Sequence, residues 1–279
     1  MSRVHARRGL EYGSPILALA CLAAGALAPG VAAAAAAAHD ARLDGTFAMR
    51  GTITYVDHVY GERRGQHVAR KWVFRAGCRT GICSRVRLAR QRSGRRITDV
   101  LWLRRVAAGT YSGTGHFWIA LRCAGRVIKH GGRAREKIVV RVRRKEIVGT
   151  TPFATALSAT YANPIRINRT ACPGGIGQDA ARYTGARASP LPSPPVASFV
   201  STTDPLSMDT MFSDRSRPGP GGAAVVRWRW HFGDPSSPDD TSSQRNPSHR
   251  FTLPGSYTVT LEVTDGFGQS TTVSQQVTA

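Results

Sequence analysis

Apolar and polar residues alternate along most of the first half of the chain, and a period of two is typical of strands that bury one face. In residues 137–143, for example, Ile138, Val140 and Val142 share one face. No long segment combines a helical period with helix-capping residues. Together these patterns predict an antiparallel meander of about seven strands that closes into a β-barrel or folds into a sandwich. The alternating runs are residues 46–56, 70–75, 85–90, 99–104, 111–123, 137–143 and 153–161.

The last third of the chain shows the same period in shorter runs. Residues 228–234 alternate aromatic and polar side chains and end in a Gly-Asp turn, which predicts a core strand followed by a tight corner. With about six or seven short strands, this part predicts an immunoglobulin-like β-sandwich, so the whole chain is assigned to the all-β class. The expected strands are residues 196–200, 208–212, 225–232, 246–251, 256–263 and 270–277. The expected core residues are Trp228, Trp230, Phe232, Tyr257, Val259, Leu261 and Val263.

Three motifs follow one another in this last third. They are Trp230-x-Phe232-Gly233-Asp234, then Asn246-Pro247-x-His249-x-Phe251, then Gly255-x-Tyr257-x-Val259-x-Leu261-x-Val263-x-Asp265. In their order and spacing, residues 196–279 resemble a PKD (polycystic kidney disease) domain. The resemblance implies a non-catalytic extracellular module for protein or carbohydrate contacts. We interpret the acids Asp234, Asp239, Asp240 and Asp265 as turn-forming residues rather than calcium ligands.

The charge of the chain is concentrated before this domain. The net charge is +22, and residues 39–195 hold 30 Lys and Arg against 8 Asp and Glu, whereas residues 196–279 hold 6 Arg against 8 acids. The change coincides with residues 188–195, where four prolines in eight residues predict an extended spacer. We therefore expect a basic β domain at 39–187, a proline-rich linker at 188–195 and the PKD-like domain at 196–279.

Residues 1–38 have the features of a secretory signal peptide. They contain basic residues near the start, an apolar core at residues 16–24, and small residues suitable for cleavage at 30–38. The apolar core is shorter than the roughly 20 residues of a membrane span. We therefore expect no transmembrane segment in the mature chain and a location outside the cell or in the cell envelope. Lipid attachment at Cys21 is a less favoured alternative, because the expected leucine lies one position too far away.

Four cysteines remain after the signal peptide. An even number in an exported domain predicts two disulfide bonds, with three connectivities open. A local bridge suits the short loop between Cys78 and Cys83, and a bridge between Cys123 and Cys172 would then tie the end of the domain to its middle. Since the spacing lacks the two close pairs of a zinc ribbon, we expect no metal site and no other cofactor.

Catalytic motifs are sparse in the basic domain. There is no Gly-x-Ser-x-Gly elbow and no His-Glu-x-x-His helix, and the scarcity of acids argues against a two-carboxylate glycosidase site. We therefore expect no catalysis. A small secreted hydrolase acting on cell wall or polysaccharide, with His58 or His116 as the catalytic residue, is the rival hypothesis. The other candidates considered are His67 and His130, with Asp57 and Asp99 as partners.

Clusters of basic residues are the candidate binding surface of this domain. Arginine binds carboxylate and phosphate groups in a bidentate manner, so an anionic partner is indicated. We expect alternation to place these side chains on one outer face, facing an anionic wall polymer, a polysaccharide or a protein. No nucleic-acid-binding motif is present, so a cognate nucleic acid is not expected. Simple solvation of the surface is the alternative. The candidates are Arg85, Arg87, Arg90, Arg141, Arg143, Arg144 and Lys145.

The opening of the first domain carries a second resemblance. Leu43-Asp44-Gly45-Thr46-Phe47 is similar to the Gly-x-aromatic start of lipocalin-type barrels. This resemblance implies an interior cavity for a small apolar ligand, and hence a small-molecule carrier, although we expect a filled interior. Our leading hypothesis is a secreted bacterial binding protein without catalysis, in which the basic domain binds an anionic or apolar ligand.

Overall fold

The computed structural model describes residues 39–279 except residues 60, 93–96 and 173–176. The predicted signal peptide and Cys21 therefore lie outside the described residues. The named elements are all β-strands, which confirms the all-β class. Within the part of the chain that the structure describes, we find no helix with the length and hydropathy to span a membrane.

The first domain is a closed barrel of eight antiparallel strands. Each strand pairs with the next in the chain, and the last strand pairs back with the first. Of the two architectures expected from the alternation, the barrel is therefore confirmed. The strands are β1 (Gly45–Asp57), β2 (His67–Ala76), β3 (Arg85–Arg92), β4 (Ile97–Ala107), β5 (Thr110–Cys123), β6 (Arg126–Val148), β7 (Thr151–Asn168) and β8 (Gln178–Arg187).

The eighth strand is missing from the sequence-based prediction. Its inward positions include Ala181 and Gly185, so Tyr183 is the one large residue among these three. Gly51 of β1 has a matching role, because a Cβ atom at this position would overlap the ring of Tyr183. Small residues thus let the first and last strands approach while one aromatic ring fills the space between them.

Both disulfide bonds have the pairing considered from the sequence. Cys78 and Cys83 are joined with a Cα–Cα distance of 5.5 Å, and Cys123 and Cys172 with a distance of 5.7 Å. The first closes the loop between β2 and β3. The second ties the end of β5 to the connection between β7 and β8, and so restrains the long β5–β6 hairpin.

The second domain is a two-layer β-sandwich. Its aromatic core contains Trp230 and Phe232, which are fully buried, and Trp228 and Tyr257 pack at the edge of that core. This confirms the predicted sandwich and its core strand. One sheet contains β9 (Phe199–Thr203), β10 (Asp209–Asp214) and β13 (Ser248–Arg250), and the other contains β11 (Val225–His231), β12 (Thr241–Ser242), β14 (Ser256–Asp265) and β15 (Ser270–Thr278).

The turn between β14 and β15 packs against one end of the barrel. Its Phe267 is 4% exposed and lies edge-on to Phe153 of β7, with ring centroids 5.0 Å apart. The backbone N–H of Thr150 donates to the Phe267 carbonyl oxygen at 2.8 Å. Leu191 from the proline-rich segment packs against the same cluster. The two domains therefore share a small apolar cluster in addition to the linker.

Arg42 connects three parts of this end of the barrel. Its guanidinium donates to the carbonyl oxygens of Cys78 and Gly81 at 3.0 and 2.9 Å, and lies 5.1 Å from the ring centroid of Phe267. Burial lowers the pKa of Arg42, and the carboxylate of Asp44 at 3.5 Å partly opposes this shift. The guanidinium remains charged at neutral pH. It fixes the Cys78–Cys83 loop to the end of the barrel that Phe267 covers, which we call the base of the barrel.

Replacement of Phe267 by Ala tests whether this cluster couples the two domains. We expect Phe267→Ala to lower the free energy of unfolding by about 3 kcal/mol, because the ring leaves a cavity against Phe153. Differential scanning calorimetry measures the effect. Leu253→Ala in the same domain, at a side chain that is 66% exposed, is the control and should leave the melting temperature unchanged. An unchanged melting profile for Phe267→Ala would show that the contact does not couple the domains.

Candidate functional site

A cavity of about 250 Å³ lies inside the barrel, at the end opposite Phe267. Phe153 at the base and Tyr161 in the cavity wall are eight residues apart on β7, which corresponds to about 26 Å along a strand. The expectation of a filled interior is therefore wrong at this end, whereas buried apolar side chains fill the remainder. The aromatic part of the wall comprises Trp72, Phe117, Trp118, Tyr161 and Tyr183, and the charged part comprises Glu62, Arg70, Arg90, Asp99 and Asp179.

Arg90 is the centre of the first polar cluster in this wall. It follows Val86 and Leu88 at intervals of two, so its side chain points inward, where it is 14% exposed. Its Nε donates to the Asp99 carboxylate at 2.9 Å, and its Nη2 donates to the Glu136 carboxylate, which is 1% exposed. The prediction that Arg90 lies with the outer basic residues is therefore wrong. Arg90 occupies the same alternate positions of β3 as the buried Val86 and Leu88.

A second polar cluster lies on β7 and β8. Arg166 donates to the Asp179 carboxylate at 2.6 Å, and the buried Asn163 bridges the same carboxylate and the hydroxyl of Tyr161. Burial raises the pKa of Tyr161, and the nearby Asp179 carboxylate raises it further, so the phenol stays neutral. The cavity wall therefore combines paired charges with a neutral hydroxyl.

Two donor side chains in the wall, Trp72 and Arg70, have no carboxylate or other side-chain acceptor in the described part of the chain. Trp72 is fully buried, and its indole Nε1–H lacks an acceptor among the described residues. Arg70 donates to the backbone oxygen of Ala69 at 2.9 Å and has no carboxylate partner among the same residues. Tyr183 packs against Trp72 at a tilt, with ring centroids 5.1 Å apart, and burial raises the pKa of Tyr183. This part of the wall can therefore donate hydrogen bonds to an acceptor atom of a bound ligand.

The outer basic residues form two patches rather than one stripe. Arg85 is exposed and lies 4.9 Å from the ring centroid of Trp102, whereas Arg141, Arg144 and Lys145 are exposed on β6. Strands β3 and β6 are three of the eight strand steps apart, or about 14 Å around the barrel wall, so their outward faces point in different directions. The remaining two candidates, Arg87 and Arg143, are half-buried, and Arg143 donates to Ser158.

The candidate catalytic histidines lie outside the cavity wall. His58 follows β1 and its Nδ1 lies 2.5 Å from the Asp57 carboxylate, with both side chains exposed. His116 is exposed on β5, opposite Arg135. His130 packs at a tilt against Trp118, with ring centroids 5.0 Å apart. Asp99 pairs with Arg90 rather than with a histidine.

The motif residues of the second domain hold its sandwich together. Asp234 is 1% exposed and accepts hydrogen bonds from the backbone and hydroxyl of Thr252 and from His249. Burial raises the pKa of Asp234, but these hydrogen bonds outweigh burial and lower it below its usual value. Gly233 has a φ of +74°, which favours glycine at this corner. The other motif residues make structural contacts as well: Asn246 and Pro247 accept bonds from β10, Gly255 pairs with Ala279, and Tyr257 donates to Leu253.

Acidic side chains of the second domain accept hydrogen bonds from backbone N–H groups in turns. Asp265 accepts from the backbone N–H groups of Phe267 and Gln269, and Asp240 accepts from the backbone of Asp234. In the described part of the chain, no group of three or more His, Cys, Asp or Glu is arranged to hold a metal ion. These contacts agree with the interpretation of the acids as turn residues.

Sequence reasoning missed most of the cavity wall, although one signal was available. Glu136 has the same parity as Ile138 and Val140, so alternation alone points a carboxylate into the barrel. Asp179 lies on β8, which was not predicted as a strand. Arg70 and Trp72 lie on the inward face of β2. A charged residue on the apolar face of a predicted strand therefore indicates a polar group inside the barrel.

The second domain is similar in sequence to known proteins. A family model described as the PKD domain matches residues 192–279. The PKD1 domain of Vibrio anguillarum Epp is 30% identical, with 32% of this chain and 96% of that chain covered and a TM-score of 0.28. The PKD1 domain of the Vibrio cholerae metalloprotease PrtV is 33% identical, with 30% and 95% covered and a TM-score of 0.26. The similarity covers the region in which the three sequence motifs lie.

Replacement of Arg90 tests the polar cluster in the cavity wall. We expect Arg90→Met to lower the free energy of unfolding by about 3–5 kcal/mol, because it leaves two buried carboxylates without their cation. Arg87→Met, on the other face of the same strand, should change it by less than about 0.5 kcal/mol. Urea denaturation followed by tryptophan fluorescence measures both values. Equal effects of the two substitutions would contradict the interior ion-pair cluster.

Proposed function

Because residues 192–279 place this chain in the PKD domain family, we propose that it is a secreted bacterial binding protein with two binding elements. The PKD domain contacts a protein or a carbohydrate outside the cell, and the barrel holds a small molecule. PKD domains are extracellular adhesion or binding modules. The signal-peptide features of residues 1–38 and two disulfide bonds support export to an oxidising compartment.

The cavity in the barrel is the observation that carries the small-molecule part of the proposal. An eight-stranded barrel is narrow enough for its own side chains to fill it, so stability alone does not require a cavity. Buried ion pairs contribute little to stability compared with apolar packing of the same volume, yet this wall holds Arg90 and Asp179 in such pairs. Aromatic surface combined with a few fixed polar groups is typical of small-molecule sites.

Binding fits the cavity better than catalysis does. A hydrolase needs a base or a nucleophile that is free to exchange a proton at the pocket. The carboxylates of Asp99 and Asp179 are instead held by Arg90 and Arg166, and His58 and His116 do not line the cavity. The polar groups of the wall are therefore suited to holding a ligand in one orientation.

The outer basic patches support a second contact, with an anionic polymer. The exposed cations Arg141, Arg144 and Lys145 lie close together on β6, about 14 Å around the barrel wall from the exposed Arg85 on β3. A polymer with repeated negative charges spans such a distance, whereas a single small anion does not. Attraction of this kind depends on exposed charges and is screened by salt.

Salt dependence tests the outer patches. We expect the affinity of the intact chain for dextran sulfate to fall by about tenfold or more between 50 and 200 mM salt, because counterions compete for the exposed cations. The triple variant Arg141→Ser, Arg144→Ser, Lys145→Ser should bind more weakly. The matched control is Arg227→Ser, Arg229→Ser, Arg250→Ser, which removes three exposed charges from the PKD domain. A salt-independent affinity, or equal loss in both triple variants, would contradict these patches as the site.

A cavity-filling substitution tests the interior site. Three probes with one ring and different charge, phenylacetate, phenylacetamide and phenethylamine, are offered to the intact chain and followed by saturation-transfer NMR. We expect at least one to bind, and Ala181→Phe to abolish that binding, because Ala181 lines the cavity and the new ring occupies it. Ala186→Phe on the exposed face of the same strand is the control. Binding that survives Ala181→Phe would place the probe elsewhere.

A further inference from the structure

The cavity wall contains one buried donor whose hydrogen bond is not made within the described part of the protein. A buried donor without an acceptor costs free energy, and native proteins contain few of them. The indole Nε1–H of the fully buried Trp72 is such a donor among the described residues. Trp72 and Arg70 are two residues apart on the inward face of β2, and both line the cavity.

We propose that the cavity binds a small carboxylate with an aromatic or apolar body, whose oxygens accept hydrogen bonds from Arg70 and from the Trp72 indole. This inference rests on the proposed small-molecule site and names the chemistry of its ligand. A guanidinium presents paired N–H groups that match the geometry of a carboxylate. The indole N–H can donate a hydrogen bond but cannot accept one. It therefore also requires an acceptor atom on the ligand, which a carboxylate oxygen supplies.

Neither Arg90, the other lining cation, nor Arg166 behind the lining residue Asp179 competes for this role. Arg90 is bound to Asp99 and Glu136, and Arg166 is bound to Asp179. The lining also contains Glu62, whose negative charge opposes an anion in the same cavity. Arg70 is therefore the lining cation that has no carboxylate partner in the described ranges, and the anionic group of the ligand binds on its side of the cavity.

The rest of the wall defines the body of the ligand. Trp72 and Tyr183 form one aromatic surface, and Val68 and Ile53 add apolar contacts. A volume of about 250 Å³ lies just below the range of about 300–1,000 Å³ for drug-sized ligands, so the body has about one ring. Aromatic side chains at this spacing favour a flat ring that stacks on them.

The approach to the cavity is also basic. Trp118 lines the cavity and is 48% exposed, so it lies where the cavity meets solvent. The guanidinium groups of Arg133 and Arg169 lie 5.9 and 5.5 Å from its ring centroid. Positive charge beside an opening raises the local concentration of small anions and speeds their association.

The ranking of three probes tests the charge of the ligand. Calorimetric titration of the intact chain compares phenylacetate with the neutral phenylacetamide and the cationic phenethylamine, which share one ring. We expect phenylacetate to bind about tenfold or more tightly than either, since a charge-assisted hydrogen bond is stronger than a neutral one. Equal affinities would overturn the carboxylate inference and leave the small-molecule site intact. Failure of all three to bind would remove the small-molecule site itself.

Variants of the wall assign the interaction to residues. We expect Arg70→Gln to remove the preference for phenylacetate, Arg70→Lys to restore part of it, and Trp72→Phe to weaken phenylacetate by about threefold to tenfold. Arg75→Gln is the matched control, because Arg75 is exposed on the same strand. Thermal melting by circular dichroism confirms that each variant is folded. A preference that persists in Arg70→Gln would overturn the assignment.

Replacement of Glu62 should change the affinity for an anionic ligand and for a cationic ligand in opposite directions. Glu62→Gln removes a negative charge from the lining, so it should strengthen phenylacetate binding. A cationic ligand would instead bind more weakly to this variant. Weaker phenylacetate binding in Glu62→Gln would contradict an anion held in this cavity.

Discussion

The pairing of β1 with β8 is the constraint on which the first domain depends. Once these two strands pair, each of the eight strands has one face toward the interior and one toward solvent. The side chain of a polar residue at an inward position can then be hydrated only by water inside the cavity. Arg90 and Glu136, which lie 46 residues apart in the chain, are held together because closure brings β3 and β6 to face the same interior. The ion pairs of the cavity wall are thus a consequence of closure.

Alternation along the chain was enough to predict much of this barrel, but it did not identify the contents of its interior. It located seven of the strands through residues such as Ile138 and Val140, whose apolar faces repeat every two positions. It missed β8, because the inward positions Ala181 and Gly185 carry little apolar bulk and leave Tyr183 between them as a single large residue. It also assigned Arg90 to the outer surface, because arginine is usually exposed and its buried partners come from other strands.

The PKD domain was easier to predict because its contacts are encoded over short distances. Asp234, His249 and Thr252 lie within 18 residues of one another and form a buried hydrogen-bond group at the end of the core strand. Motif spacing reports such local contacts directly. The proposed ligand site of the barrel has no comparable signature, since Arg70, Trp72 and Tyr183 line one cavity only after the strands are wrapped around a common axis.

The contact of Phe267 with the barrel has a consequence for how the two domains work together. It covers the base near Phe153, whereas the cavity meets solvent beside Trp118 at the other end of the strands. A molecule that enters or leaves the cavity therefore does not have to pass the PKD domain. If that domain is captured by an extracellular surface, the opening still faces the surrounding medium. The two proposed activities, attachment through the PKD domain and ligand exchange at the cavity, are therefore sterically compatible in one chain.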